Sequence, residues 1–128
     1  MSEPLRALVV DDESDVQLLF TQRFRREVRQ GLVELRFATS GEEALDLLHS
    51  GAAADVVLVL SDINMPGMTG IELLQRIKGE RPELRVLMVT AYDNAEMQRA
   101  AYDAGAEGYL TKPLDFDGLK REVFQIAA

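Results

Sequence analysis

The sequence predicts an α/β domain: a doubly wound, five-stranded parallel sheet with five helices on its faces. Apolar runs of strand length alternate with segments of helical period along the whole chain. The runs are continuous rather than alternating, as in strands buried on both faces, and that means parallel strands covered by helices. Right-handed crossovers then wind the helices onto both sides of the sheet.

The elements follow in order. "RALVV" (Arg6 to Val10) is the first strand. Val16, Leu19, Phe20, Phe24 and Val28 then share one helical face and predict a single first helix. The second strand spans Val33 to Ala38, and "TSGEEALDLL" follows, with Ser40 and Glu43 spaced as a capping box. "DVVLVLS" supplies a third strand over Val57 to Ser61, and "TGIELLQRI" a helix with Ile71, Leu74 and Ile77 in register. Arg85 to Thr90 is the fourth strand, with a helix from Asn94 to Ala104 stopped by Gly105. A short strand, Gly108 to Leu110, and a helix over Phe116 to Ile126 complete the pattern.

The length of 128 residues suits one domain over 1–128, either free-standing or a module of a longer protein. Twenty-two acids against 14 bases give a formal charge of -8. That balance argues against direct nucleic-acid binding and against a surface seeking anionic lipid. Without cysteine there is no disulfide or thiolate chemistry. The opening "MSEPLRALVV" has no signal-peptide pattern and no run approaches a membrane span, so the expected setting is cytoplasmic.

Ligands of a parallel α/β sheet bind at the C-terminal ends of its strands. Asp11 and Asp12 end the first strand, Asp62 the third, Thr90 and the small Ala91 the fourth, and Thr111-Lys112-Pro113 the fifth. Three converging carboxylates repel one another unless a cation joins them. Magnesium, or manganese in its place, suits oxygen donors of this kind. Lys112 offers a point cation and Thr90 a hydroxyl. With one carboxylate set apart from the pair, the cluster reads as phosphoryl transfer onto Asp62. The turn after Asp62, Met65-Pro66-Gly67, then folds the chain away and leaves that carboxylate exposed to a donor.

"VVDDE", "SDINMPGMTG", "VTAY" and "GYLTKP" occur in this order, and together they resemble the receiver domain of bacterial response regulators across nearly the whole chain. The resemblance implies a flavodoxin-like sheet of order 2-1-3-4-5. It also implies a phosphorylation-controlled switch whose phosphoryl group comes from a sensor histidine kinase or histidine phosphotransferase. By that likeness Asp62 is the phosphoacceptor, Asp12 a direct metal ligand, and Asp11 a ligand acting through water. Asn64 would give its backbone carbonyl to the metal. Thr90 and Lys112 would bind the phosphoryl group, and Tyr109 would be an aromatic switch. Pro113 would follow a cis peptide. Asn64 and Tyr92 flank the path of attacking water and would tune the phosphoryl lifetime, with Tyr92 shielding and Asn64 orienting the water. The output surface would be the fourth helix, fifth strand and last helix, facing a downstream effector or a fused output domain. The only enzymatic character implied is self-phosphorylation from a donor and weak autodephosphorylation.

Plainer readings exist for each residue. Asp11 and Asp12 could cap the first helix, Asp62 could be a turn residue, and Tyr109 could be core packing. His49 reads as a helix-end residue suited to the C-terminal dipole. The run "RFRREVR" reads as a solvated helix face, with kinase docking as the sharper alternative. Met65, Met68, Met88 and Met97 read as packing. Among functions, a magnesium-dependent phosphatase of the haloacid-dehalogenase type uses similar groups in another order, with its nucleophile in a D-x-D after the first strand; "DDESD" contains none. A flavodoxin-type flavin carrier would not place two acids where a phosphate must sit. A degenerate receiver usually lacks an essential residue, and none is missing here.

Overall fold

In the computed structural model, which describes residues 3–51, 53–91 and 94–127, with side chains through 125, the sheet is parallel with order β2-β1-β3-β4-β5. Its strands are β1 (Leu5–Val10), β2 (Val33–Ala38), β3 (Leu58–Ser61), β4 (Arg85–Thr90) and β5 (Gly108–Thr111). The helices are α1 (Ser14–Arg23), α2 (Arg25–Arg29), α3 (Gly41–His49), α4 (Gly70–Glu80), α5 (Ala95–Asp103) and α6 (Phe116–Ala127).

The period-two geometry of a strand sends successive side chains to opposite faces. Leu8, Val10 and Val59 join a core with Leu73, Leu74 and Ile77 of α4. Ala7, Val9, Leu58 and Leu60 join a second core with Phe20, Phe24 and α6 residues Leu119 and Val123. Each fully buried Leu or Val side chain is worth about 1.5–3 kcal/mol. The three central strands are thereby anchored from both sides, and their C-terminal ends form a fixed rim.

Several boundaries differ from the sequence expectation. The five expected helices are six, because the first divides at Phe24, whose φ of -98° and ψ of 7° leave helical geometry. Its ring is buried, stacked on Phe20 and edge-on to Phe116. The hydrogen-bond ladder continues across the break, with Phe24 N–H donating to Phe20 O and Val28 N–H to Phe24 O, both at 2.9 Å. One bent helix therefore serves where one straight helix was expected. Val57 lies outside β3 and is exposed. The capping box at α3 is only half formed. Ser40 Oγ accepts Glu43 N–H at 3.0 Å, but Glu43 Oε1 accepts from Thr39 N–H rather than from Ser40. The complete box is at α4, between Thr69 and Glu72. His49 ends α3, with Nε2 within 3.1 Å of both Glu80 carboxylate oxygens.

Candidate functional site

Asp11 and Asp62 arrive at one rim because β1 and β3 are neighbours in register, Val10 beside Ser61. Asp62 N–H donates to Val10 O at 2.9 Å, and Asp11 N–H to Ala38 O at 3.0 Å. Each acid thus sits one residue past its strand with its backbone still held by the neighbouring strand. Asp12 is exposed beside them. Carboxylate oxygens of Asp11, Asp12 and Asp62 all lie within 4.8 Å of one another. The helix-capping alternative fails: the N-cap of α1 is Glu13, with no side-chain cap, and Asp11 Oδ1 instead accepts the Glu13 N–H at 2.9 Å.

Lys112 reaches in from the end of β5. Its Nζ donates to Asp11 Oδ2 at 2.8 Å and to Asp62 Oδ2 at 3.2 Å. Asp62 Oδ1 accepts from the Ile63 N–H at 2.7 Å, with the Asn64 N–H at 3.4 Å. The two oxygens of Asp62 are therefore held differently, one by backbone and one by the ammonium. Thr90 is buried at the end of β4, and its carbonyl accepts the Lys112 N–H at 2.8 Å. Ala91 is exposed at the same rim, as is Asn64. Tyr109, on β5, is half-buried against the core shared by α3, α4 and α5. The Lys112-Pro113 peptide is cis. Tyr92, expected to shield the site, lies outside the described residues.

Burial raises the pKa of Asp62; Lys112 opposes this, and the nearby Asp11 adds to it, for a net upward shift. Burial pulls the Lys112 pKa down, but its contacts with Asp11 and Asp62 outweigh that and leave it raised. Three carboxylates thus face one ammonium, and two of the three are buried. One of these is Asp62, which the turn after it was expected to leave exposed and which Lys112 and the Ile63 N–H instead enclose. All the donors are hard oxygens, and the excess charge is negative. This set fits a divalent cation such as Mg2+, which takes carboxylates and retains several waters.

Some supporting residues were not singled out by sequence. A Cβ on Gly70 would collide with the Asp62 carbonyl and come within 2.7 Å of Ile63 Cα. Only glycine lets α4 start this close to the acid's own backbone. Gly67 has φ of 74°, a left-handed turn that the Met-Pro-Gly pattern did anticipate in kind. Glu42, at the start of α3, accepts the Met68 N–H at 3.4 Å and braces the same loop. The dipeptide Thr69-Gly70 ahead of an apolar helix was the available signal for Gly70.

The profile of the response regulator receiver domain matches residues 7–124. The chain belongs to this family. A receiver domain is a phosphorylation-dependent signalling switch, and the phosphatase alternative finds no support. Response regulator MprA of Mycolicibacterium vanbaalenii is 35% identical over 116 residues, which cover 91% of this chain and 47% of that protein. The receiver thus spans about half the length of MprA. Sporulation initiation phosphotransferase F of Bacillus subtilis is 33% identical, the match covering 92% of this chain and 90% of the relative. Among solved structures, response regulator TrrA of Thermotoga maritima in complex with Mg2+ and beryllofluoride superposes with a TM-score of 0.81 and 33% identity. That superposition covers 95% of this chain and 98% of TrrA. Among the described residues, no helix of this receiver is long and apolar enough to cross a membrane.

Proposed function

We propose that this receiver takes a phosphoryl group onto Asp62 from the phosphohistidine of a sensor histidine kinase or histidine phosphotransferase. The carrying observation is a buried carboxylate at the centre of an acidic rim, held by a single lysine. In the step, the P–N bond of the donor breaks as a P–O bond forms to a carboxylate oxygen of Asp62. The histidine nitrogen leaves with the bonding pair and is then protonated by water. Asp11, Asp12, Asp62 and the Asn64 carbonyl would hold Mg2+, which when bound would neutralise charge on the phosphoryl oxygens. Lys112 neutralises further charge once Asp62 carries a group of about -2, and the Thr90 hydroxyl donates to a phosphoryl oxygen. The protein's part is position and charge rather than turnover on a substrate. MprA and the transcriptional regulator NtrC of Klebsiella pneumoniae, of which the match covers 22%, extend well beyond this domain. A receiver acting on a fused output domain fits these two, and one acting on a separate effector fits sporulation initiation phosphotransferase F, matched over 90% of its length.

The relative crystallised with Mg2+ and beryllofluoride, a phosphoryl mimic, supports this reading by analogy. Acetyl phosphate with magnesium should add one phosphoryl mass, lost with EDTA and in Asp62→Ala. Labelling that persists in EDTA, or undiminished labelling of Asp62→Ala, would overturn the proposal.

A further inference from the structure

A groove of about 340 Å³ lies along the open edge of the sheet, and none of its lining residues belongs to the acidic rim. Leu35 and Phe37 of β2 form its floor, and Thr21, Arg25, Val28 and Arg29 of α1 and α2 form its wall. The two floor residues share one face of β2, two positions apart, and are half-buried against the second core. Val28 is 44% exposed. Leu18, also exposed, precedes Thr21, Arg25 and Val28 at helical spacing and extends the apolar stripe by one turn. β2 pairs only with β1, so no strand closes the groove from outside.

The charge on the groove is opposite to that of the molecule. The chain carries -8 overall, yet the wall presents Arg25 and Arg29. Neither has a carboxylate partner among the described residues. Glu27, between them in sequence, turns inward to Lys120 at 3.1 Å. The outward face of α2 is therefore basic around an apolar floor. A second copy docking face to face across a two-fold axis would bring Arg25 and Arg29 against their own equivalents. Anionic lipid and nucleic acid would meet a strongly acidic remainder.

We propose that this groove docks an acidic amphipathic protein segment. Its apolar side chains cover Leu35, Phe37 and Val28, and its carboxylates pair with Arg25 and Arg29. The surface is independent of the phosphoacceptor assignment, since none of its residues belongs to the acidic rim. It gives the receiver a contact for a partner while the face around Lys112 stays free for a phosphodonor.

The test uses a fluorescein-labelled helical peptide with a Leu/Phe stripe flanked by glutamates, and the same peptide with lysines for glutamates. Anisotropy should show saturable, salt-sensitive binding of the acidic peptide alone, with amide shifts at residues 21–37. Arg25→Glu with Arg29→Glu should weaken it by about tenfold or more, and Val28→Asp, read separately, should weaken it comparably. Both variants should retain acetyl phosphate labelling, which checks the fold. Several results would overturn the proposal. These are no binding, equal binding of the lysine peptide, shifts confined to α5, β5 and α6, or charge reversal without effect. So would displacement of the peptide by an oligonucleotide, or a dimer in sedimentation that Val28→Asp dissolves.

Discussion

The two ends of the sheet each set one base among three acids, and they do opposite things with it. At the N-terminal end Arg6 faces Glu3, Glu34 and Asp55, at 3.7, 3.1 and 2.9 Å. At the C-terminal end Lys112 meets Asp11 and Asp62 at 2.8 and 3.2 Å, with Asp12 alongside. Stoichiometry alone does not separate them; burial does. The side chains of Glu34 and Asp55 are 46% and 48% exposed, so water screens their excess charge. Those of Asp11 and Asp62 are 6% and 8% exposed, and water cannot do so. The same ratio of charges is a solvated ion network at one end and a set of oxygen donors that could hold a cation at the other.

The strongest way to break this comparison is to remove the base that serves the buried acids. Lys112→Ala should still bind magnesium, yet the phosphorylation-linked NMR shifts at Tyr109 should vanish. Shifts equal to wild type would remove Lys112 from the switch. Next in size is the support under the acid. Gly70→Ala should cost about 3 kcal/mol in urea unfolding, as overpacking against immovable backbone does. Gly79, in the same helix with nothing within 4 Å of an added Cβ, is the control. Its change to Ala should stabilise by about 0.5–1 kcal/mol. A Gly70→Ala cost below the Gly79→Ala gain would show that α4 can retreat.

Magnesium should sharpen the contrast further. At about a hundredfold its dissociation constant it should add about 2.7 kcal/mol to folding stability. Arg6→Ala should leave that increment unchanged, and Asp62→Ala should reduce it. Without magnesium, pH should report the buried end alongside Glu27, whose lowered pKa acts in the opposite sense. Because the folded-state pKa of Asp62 is raised, the folded protein holds its proton at pH values where the unfolded chain has lost it. Its stabilising contribution is complete below the unfolded pKa and is lost as pH rises through the folded one. Asp62→Asn should flatten that part of a melting-temperature profile; an unaltered slope would assign it to another group. The smallest effect is expected of Arg6→Ala, about 0–1 kcal/mol. A loss above about 2 kcal/mol would mean that the exposed network matters more than surface pairs do.

Much of this is legible in the sequence. A parallel sheet puts strand C-termini on one rim, so Asp11, Asp12, Asp62, Thr90 and Lys112 could be gathered from the strand ends alone, and β2 and β4 were bounded to the residue. What escaped depends on contacts between distant segments. The break at Phe24 sits in an aromatic cluster that includes Phe116 of α6, nearly a hundred positions away. The exposure of Val57 depends on what fails to cover it. Thr39 competes with Ser40 for Glu43, and that is a matter of local geometry within one capping pattern. The need for glycine at position 70 appears only when α4 is laid against β3. The groove beside β2 was visible only as a run of arginines, because its apolar floor comes from another element.

Gly70 also bears on which way Asp62 can yield. With α4 seated on the carbonyl of Asp62, and β3 flanked by β1 and β4, the acid has an anvil behind it. β5, by contrast, is an outer strand with one neighbour, and Leu110 and Tyr109 are only half-buried. A load placed on Asp62 meets a stiff wall on one side and a compliant one on the other. A displacement of Asp62 is therefore expected toward β5, the strand just ahead of Lys112, rather than toward α4. A side chain missing from one helix start thereby gives the domain a direction.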